Sequence, residues 1–322
     1  MRICLALVLL LAAPGAAQTP KPPGRLVDLG GHKLHLYCSG KGSPTVVVEN
    51  GLGDFSFDWV MVQNGVAKST RICTYDRAGY AWSDPGPMPR TFAQLNLELH
   101  DALAQSGERG PFVLVGHSFG GPVVRWYARL YPDEVAGMVQ VDAAEEESRY
   151  TYGGKAILIR ASAQGKQPPP PHEERPAPDE LPPIRRLQAQ PLDALYLRLP
   201  VAQQELQKWA QGLPAIEVAE NSQREWSAEY LKVMHDTPQA GSLGARPLIV
   251  LTRAEGGYGE GLDLPAAQLE KERLEGQARL VKLSTNGRQI LLRCGHNMEI
   301  ESPAEVAAAI VDVARAVRER RR

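Results

Sequence analysis

An α/β fold, with a mostly parallel sheet flanked by helices, is predicted by three observations on the sequence. Short apolar runs recur at "TVVVEN", "RICTY", "FVLVGH", "AGMVQV", "PLIVLT" and "RQILLR", and each ends in a polar or glycine-rich loop. Such near-continuous hydrophobicity is what strands buried on both faces require. Amphipathic stretches lie between several of these runs, and alternation of strands with helices implies a parallel sheet covered on both sides. The length of 322 residues, 43% hydrophobic and 23% charged, suffices for one large domain with an insertion.

The chain opens "MRICLALVLLLAAPGAAQTPKPPGR", with one Arg before an apolar run from 3 to 13 and small residues ending at Ala17. That is the pattern of a secretory signal peptide over 1–17, and the run is shorter than the ~20 apolar residues a spanning helix needs. An exported protein, secreted or periplasmic, with no stable membrane anchor after cleavage is expected, and "TPKPPG" reads as a short tether. Export permits disulfides, and Cys38, Cys73 and Cys294 remain after the cut, an odd number. No cysteine or histidine cluster has metal-ligand spacing, and no metal or organic cofactor is expected.

"RLVDLGGHKLHLYCSG" predicts a hairpin around Gly30 and Gly31, with Leu34, Leu36 and Cys38 alternating against polar neighbours. "RTFAQLNLELHDALAQSG" predicts a helix with Phe92, Leu95, Leu99 and Leu103 on one face, and "PAEVAAAIVDVARAVRERRR" a closing helix. The alternation breaks over 143–245, where no pair of strands is evident. A Pro-rich "AQGKQPPPPHEERPAPDELPP" lies there between helical stretches, among them "LDALYLRLPVAQQELQKWAQG" and "SQREWSAEYLKVMHD". So long an insertion reads as a helical cap rather than a loop. It leaves 18–142 and 246–322 as the core. A formal net charge of −1 offers no basic field for nucleic acid, and a small-molecule partner is expected.

Chemistry concentrates at "FVLVGHSFGGPVVRWYARLYP". Ser118 stands between Gly116 and Gly120, after a strand-like run and before a stretch with Val123, Trp126, Tyr127 and Leu130 at helical spacing. Strand, sharp turn and helix are the setting in which a serine hydroxyl is exposed as a nucleophile. An alcohol is a poor nucleophile at neutral pH, so a base must stand within hydrogen-bond reach. Of seven histidines, His32 and His35 fall in the hairpin and His100 on a helix; His172 and His235 fall in the insertion, and His117 points away from Ser118. His296, in "CGHN" just after the last predicted strand, is the candidate base. Asp142 and Glu255 each follow a predicted strand and are the candidate acids. The amide of Phe119, at the helix N-terminus, is a candidate oxyanion donor.

The strand order, "GHSFG", "YDRAGYAWSD" after an early strand and a late "GHNMEIESPAEV" resemble the α/β-hydrolase superfamily over nearly the whole chain beyond the signal segment. The resemblance implies a triad in the order Ser, acid, His. The family most often carries its acid after the later strand, but "TRAEGGYGEG" lacks Asp there, although Glu255 is close. Some branches place it after the preceding strand, which Asp142 matches, so Asp142 is favoured and Glu255 kept as the alternative. The second oxyanion donor implied is Leu52 of "ENGLGDFSFDW", where Asn50 stands in place of the family's His. Asp76 and Arg77 read as an architectural pair, and Trp82, Trp209 and Trp226 as candidate pocket walls. In that fold the strands of Cys38 and Cys73 are neighbours, so one bridge and three buried thiols are both open.

A serine at the elbow argues against the branches that use a carboxylate there, the epoxide hydrolases and haloalkane dehalogenases. The expectation is an exported serine hydrolase cleaving carboxylic esters through an acyl-enzyme. Acyl transfer and amide or peptide hydrolysis can run on the same triad. A non-catalytic binding protein would typically have lost Ser or His.

Overall fold

In the computed structural model, residues 19–88, 90–152, 155–158, 191–213, 241–257 and 261–320 are described. The hairpin predicted around Gly30 forms from β1 (Arg25–Asp28) and β2 (Lys33–Ser39), paired antiparallel with Val27 opposite Leu34. The apolar runs become β3 (Val46–Glu49), β4 (Ile72–Tyr75), β5 (Phe112–His117) and β6 (Val135–Val141). After the insertion come β9 (Leu248–Arg253) and β10 (Gly287–Leu292). These eight form one sheet in the order β1-β2-β4-β3-β5-β6-β9-β10, in which only β2 runs antiparallel to its neighbours. Every residue of β3, β4, β5 and β9 is buried, as their unbroken hydrophobicity requires.

Helices cover both faces. One cluster joins Leu99 and Leu103 of α2 (Phe92–Gln105) and Tyr127 of α3 (Gly120–Leu130) to Val47 and Leu114 of the sheet. The other joins Val62 of α1 (Val60–Val66) and Ile310 and Val313 of the closing helix (Pro303–Arg320) to Val48, Val113 and Val115. The predicted face of α2 is buried at Phe92, Leu95, Leu99 and Leu103, and Thr91 caps its start by accepting the Gln94 amide at 3.1 Å. In α3 the buried stripe is Val123, Val124 and Tyr127, whereas Leu130 is exposed. Among the described residues no helix is long and apolar enough to cross a membrane.

Four expectations are corrected. His35, placed by alternation among the outward residues of β2, is buried: its Nδ1 meets Asp76 Oδ2 at 2.7 Å and its Nε2 meets the Pro23 carbonyl. The polar partners supplied by neighbouring loops override the period of two. The stretch read as a tether is for the same reason docked on the core, with Trp82 Nε1 donating to the Pro20 carbonyl at 2.7 Å. The insertion does contain strands, β7 (Arg149–Tyr152) and β8 (Lys155–Leu158), paired antiparallel. Gly153 and Gly154 between them in sequence are the turn signal that marks such a hairpin. Lastly, a helix not anticipated, α5 (Ala266–Val281), follows β9 and carries buried Leu269 and Leu280. The helical part of the insertion is represented by α4 (Val201–Ala210). The signal segment, the Pro-rich run and "SQREWSAEYLKVMHD" lie outside the described residues.

Cys38 and Cys73 face each other directly across β2 and β4 and are bonded, while Cys294 is free and buried. The bridge closes a span of 35 residues, which by chain entropy contributes about 3–4 kcal/mol. Replacing both cysteines by serine is expected to lower the urea midpoint accordingly. An unchanged midpoint would show that the bridge does not stabilise the sheet edge.

Candidate active site

The centre of the site is a close crossing. A Cβ on Gly116 would stand 2.6 Å from the carbonyl oxygen of Gly120, and one on Gly120 would run into the carbonyls of Glu49 and Asn50. Only glycine lets α3 start this near the ends of β5 and β3. Between them Ser118 is forced to φ 48°, a left-handed conformation that costs a non-glycine residue about 1–3 kcal/mol. Backbone hydrogen bonds hold it there: its amide donates to Val141 at 3.1 Å, and its carbonyl accepts from Gly121 at 3.0 Å and Ala144 at 2.9 Å. Asp142, one residue past β6, has φ 36°.

The last strand delivers the base. His296 follows β10, and its Nδ1 donates to Asp142 Oδ2 at 2.7 Å, leaving Nε2 as the nitrogen able to take a proton. Its side chain is 46% exposed, whereas that of Asp142 is 3% exposed. Burial would raise the pKa of Asp142. The hydrogen bond from His296 and the charges of His296, Arg273 and Arg253 outweigh it and hold the carboxyl below its ordinary value. Arg273 Nη1 donates to Oδ1 at 2.9 Å, and Arg253 Nε lies 3.2 Å from Oδ2. Glu255, the alternative acid, has an exposed side chain. Its backbone ties two loops together, its amide donating to Cys294 at 3.1 Å and its carbonyl accepting from Arg253 Nη1 at 2.8 Å.

Ser118, Asp142 and His296 open onto one cavity of about 400 Å³. Glu145, Glu147, Arg149, Glu272 and Gln277 line its remainder with Leu269. Phe119 caps the N-terminus of α3, where the helix dipole favours developing negative charge. Leu52 stands in the turn after β3, two residues past Asn50, whose carbonyl lies against Gly120. That turn is clamped by a fully buried arginine. Arg77 donates to Glu49 Oε1 at 2.9 Å and to the carbonyls of Asn50 at 2.8 Å and Gly51 at 2.6 Å, and Asn50 Nδ2 donates to the Tyr75 carbonyl at 2.8 Å. Asp76 and Arg77, read from the sequence as an architectural pair, hold separate parts of the structure: Asp76 accepts from the amide of Ser56 at 2.8 Å and meets His35.

Trp82 and Trp209 do not line the cavity beside Ser118. They pack against each other, ring centroids 5.2 Å apart, in an aromatic cluster with Phe55, Phe57 and Tyr80 that seats α4 on the core. Trp226 lies outside the described residues. Sequence reasoning missed Arg253 and Arg273, which brace Asp142, and Asp54 and Glu299, which surround His117. A buried histidine in an otherwise apolar strand demands partners, and that demand was the available signal.

Residues 46–309 match the model of the Alpha/beta hydrolase family. The chain belongs to that family. It is similar to a probable transporter, efuK, of Hormonema carpetanum, 34% identical over 135 residues that make up 39% of this chain and 19% of that one. The chain thus spans less than a fifth of that relative's length. Among solved structures it resembles a serine hydrolase involved in carbazole degradation (TM-score 0.61, 17% identity, 91% of this chain and 98% of that one). It also resembles a thermophilic esterase from Thermogutta terrifontis (TM-score 0.55, 21% identity, 91% and 98%). At these identities the likeness is one of fold.

Burial disfavours a charge on His117, but Glu299 and Asp54 outweigh it and push its pKa up from 6.5 to about 10. Its contribution to stability is then fully present below about pH 6.5 and lost as pH rises through about 10. Burial, opposed by His117 and aided by Asp54, raises Glu299 from 4.5 to about 7, so its contribution is lost over that lower window. Both signs agree. The urea midpoint is expected to fall steadily between about pH 5 and about pH 10, and a midpoint that is flat or rises over that range would contradict the charge assignment.

Proposed function

We propose that this protein is an exported serine hydrolase that cleaves carboxylic esters through an acyl-enzyme on Ser118. One observation carries the reading: the serine of a strained strand-to-helix turn shares a cavity with a histidine that donates to a buried carboxylate. Ser118 Oγ attacks the ester carbonyl as His296 Nε2 takes its proton, while Asp142 stabilises the imidazolium that forms. The amides of Phe119 and Leu52 receive the oxyanion. His296 then gives the proton to the departing alcohol, and water, deprotonated by the same nitrogen, releases the acid and restores the serine.

The charged and polar lining supports a short or polar acyl group over a long alkyl chain. Export is supported by the N-terminal pattern and by the Cys38–Cys73 bridge, since structural disulfides persist in oxidising compartments.

A fluorophosphonate is expected to label the protein and to leave Ser118→Ala unlabelled. In a p-nitrophenyl ester series, acetate and butyrate are expected to be cleaved faster than decanoate. No label on the intact protein would end the assignment. Asp142→Asn is expected to lower kcat by about 10³–10⁴-fold while Glu255→Gln stays within about twofold. The opposite ranking would move the acid role to Glu255.

A further inference from the structure

Behind the elbow lies a second histidine that the reaction itself does not use. His117 is the last residue of β5, 1% exposed, and does not line the cavity that Ser118 lines. Both of its nitrogens meet acceptors. Nδ1 is 2.7 Å from Asp54 Oδ2, and Nε2 is 3.0 Å from the main-chain oxygen of His296. A carbonyl oxygen can only accept, so Nε2 carries a hydrogen. Asp54 Oδ2 also accepts the Gly51 amide at 2.9 Å, and an ionised Asp54 can only accept from Nδ1, which then carries a hydrogen too. With Asp54 ionised the ring is an imidazolium.

Charged groups reach it from each element packed around it. Asp54 comes from the loop after β3, and Glu299 from the short helix α6 (Met298–Glu301) that follows His296, its Oε2 3.8 Å from Nε2. The His296 ring lies 4.8 Å away between centroids, and Asp58 and Arg77 act on it through Asp54. The cation facing Glu299 is His117, with Asn297 and the local main chain as its other polar neighbours. Asp54, His117 and Glu299 offer atoms within 4.8 Å of one another, a spacing suited to a metal ion. With both ring nitrogens donating, His117 has no lone pair left for one.

We propose that His117 is a positioning residue: an imidazolium held between Asp54 and Glu299 that pins the main-chain carbonyl of His296 and so fixes where the His296 ring stands over Ser118. This rests on the hydrolase reading above. The His296 ring is 46% exposed, and its side-chain anchor is the one bond to Asp142, so its backbone must be fixed by other means. The same carbonyl accepts the Met298 amide at 3.0 Å, which closes the turn into α6. A charged donor makes the stronger bond there, and the two carboxylates compensate its burial. A displacement of the base by about 1 Å is enough to cost roughly 10²-fold in rate.

The test measures p-nitrophenyl acetate kinetics and fluorophosphonate labelling on the wild-type protein, His117→Gln and Asp54→Asn, with circular dichroism to establish folding and ¹⁵N-histidine NMR on the wild type and His117→Gln. Folded His117→Gln is expected to lose about 10–100-fold in kcat and in labelling rate, with KM within about twofold, because substrate contacts are untouched. The His117 resonances, assigned by their absence from His117→Gln, are expected to report both ring nitrogens protonated at pH 7.5. Should His117→Gln not fold, Asp54→Asn carries the kinetic test, with the same loss expected. Variant kcat and labelling within twofold of wild type, or a neutral His117 at pH 7.5, would overturn the proposal and leave the hydrolase reading standing. A wild-type protein that takes no label overturns both.

Discussion

Where β5 meets α3, two glycines let backbones approach to distances that no side chain would permit, and Ser118 is caught between them in a left-handed turn. Everything else at the site is placed relative to that crossing. The end of β3 and the start of its following turn lie against Gly120, through the carbonyls of Glu49 and Asn50. Ser118 bonds back to Val141 and forward to Ala144, so the end of β6, with Asp142, is tied to the serine by main-chain hydrogen bonds. The strain at Ser118 persists because the surrounding sheet over-determines it.

The candidate acid stands at a different strand end from the one the family most often uses. At the end of β9, where the family most often carries the carboxylate, this chain has Arg253, and the carboxylate stands one strand over. Arg253 and Arg273 converge on Asp142 and keep it ionised despite burial, so the hydrogen bond to His296 is charge-assisted. Arg273 also bonds Glu270 and the Arg253 carbonyl, which ties α5 to the site. Through Arg273, α5 thus steadies Asp142.

Much of the site was legible before any coordinates. Ser118 and His296 could be named, and Asp142 and Glu255 kept as the candidate acids, because strand ends are readable as apolar runs, and a sheet of this kind gathers its strand ends on one edge. The Cys38–Cys73 pairing stayed open until the register of β2 against β4 was known, since spacing says nothing about which residues face each other. The roles of Trp82 and Trp209 were misjudged for a related reason. An aromatic residue near a site lines it or packs beneath it according to side-chain direction, which no local pattern encodes. Asp76 and Arg77 were read as architectural, but which groups each holds depends on direction, since successive residues after a strand turn to different partners.

By itself the sequence determined the strands of the main sheet, the serine turn between strand and helix and the histidine expected to work with it, because periodicity and glycine placement are local constraints. Only the tertiary structure decided which acid meets His296, that two arginines brace it, and that His117 lies charged beneath the catalytic loop. Those are contacts between residues more than a hundred positions apart, with Asp54 and His117 the closest exception at 63. Burial and ion pairing depend on what surrounds a group, and a linear string does not carry its surroundings.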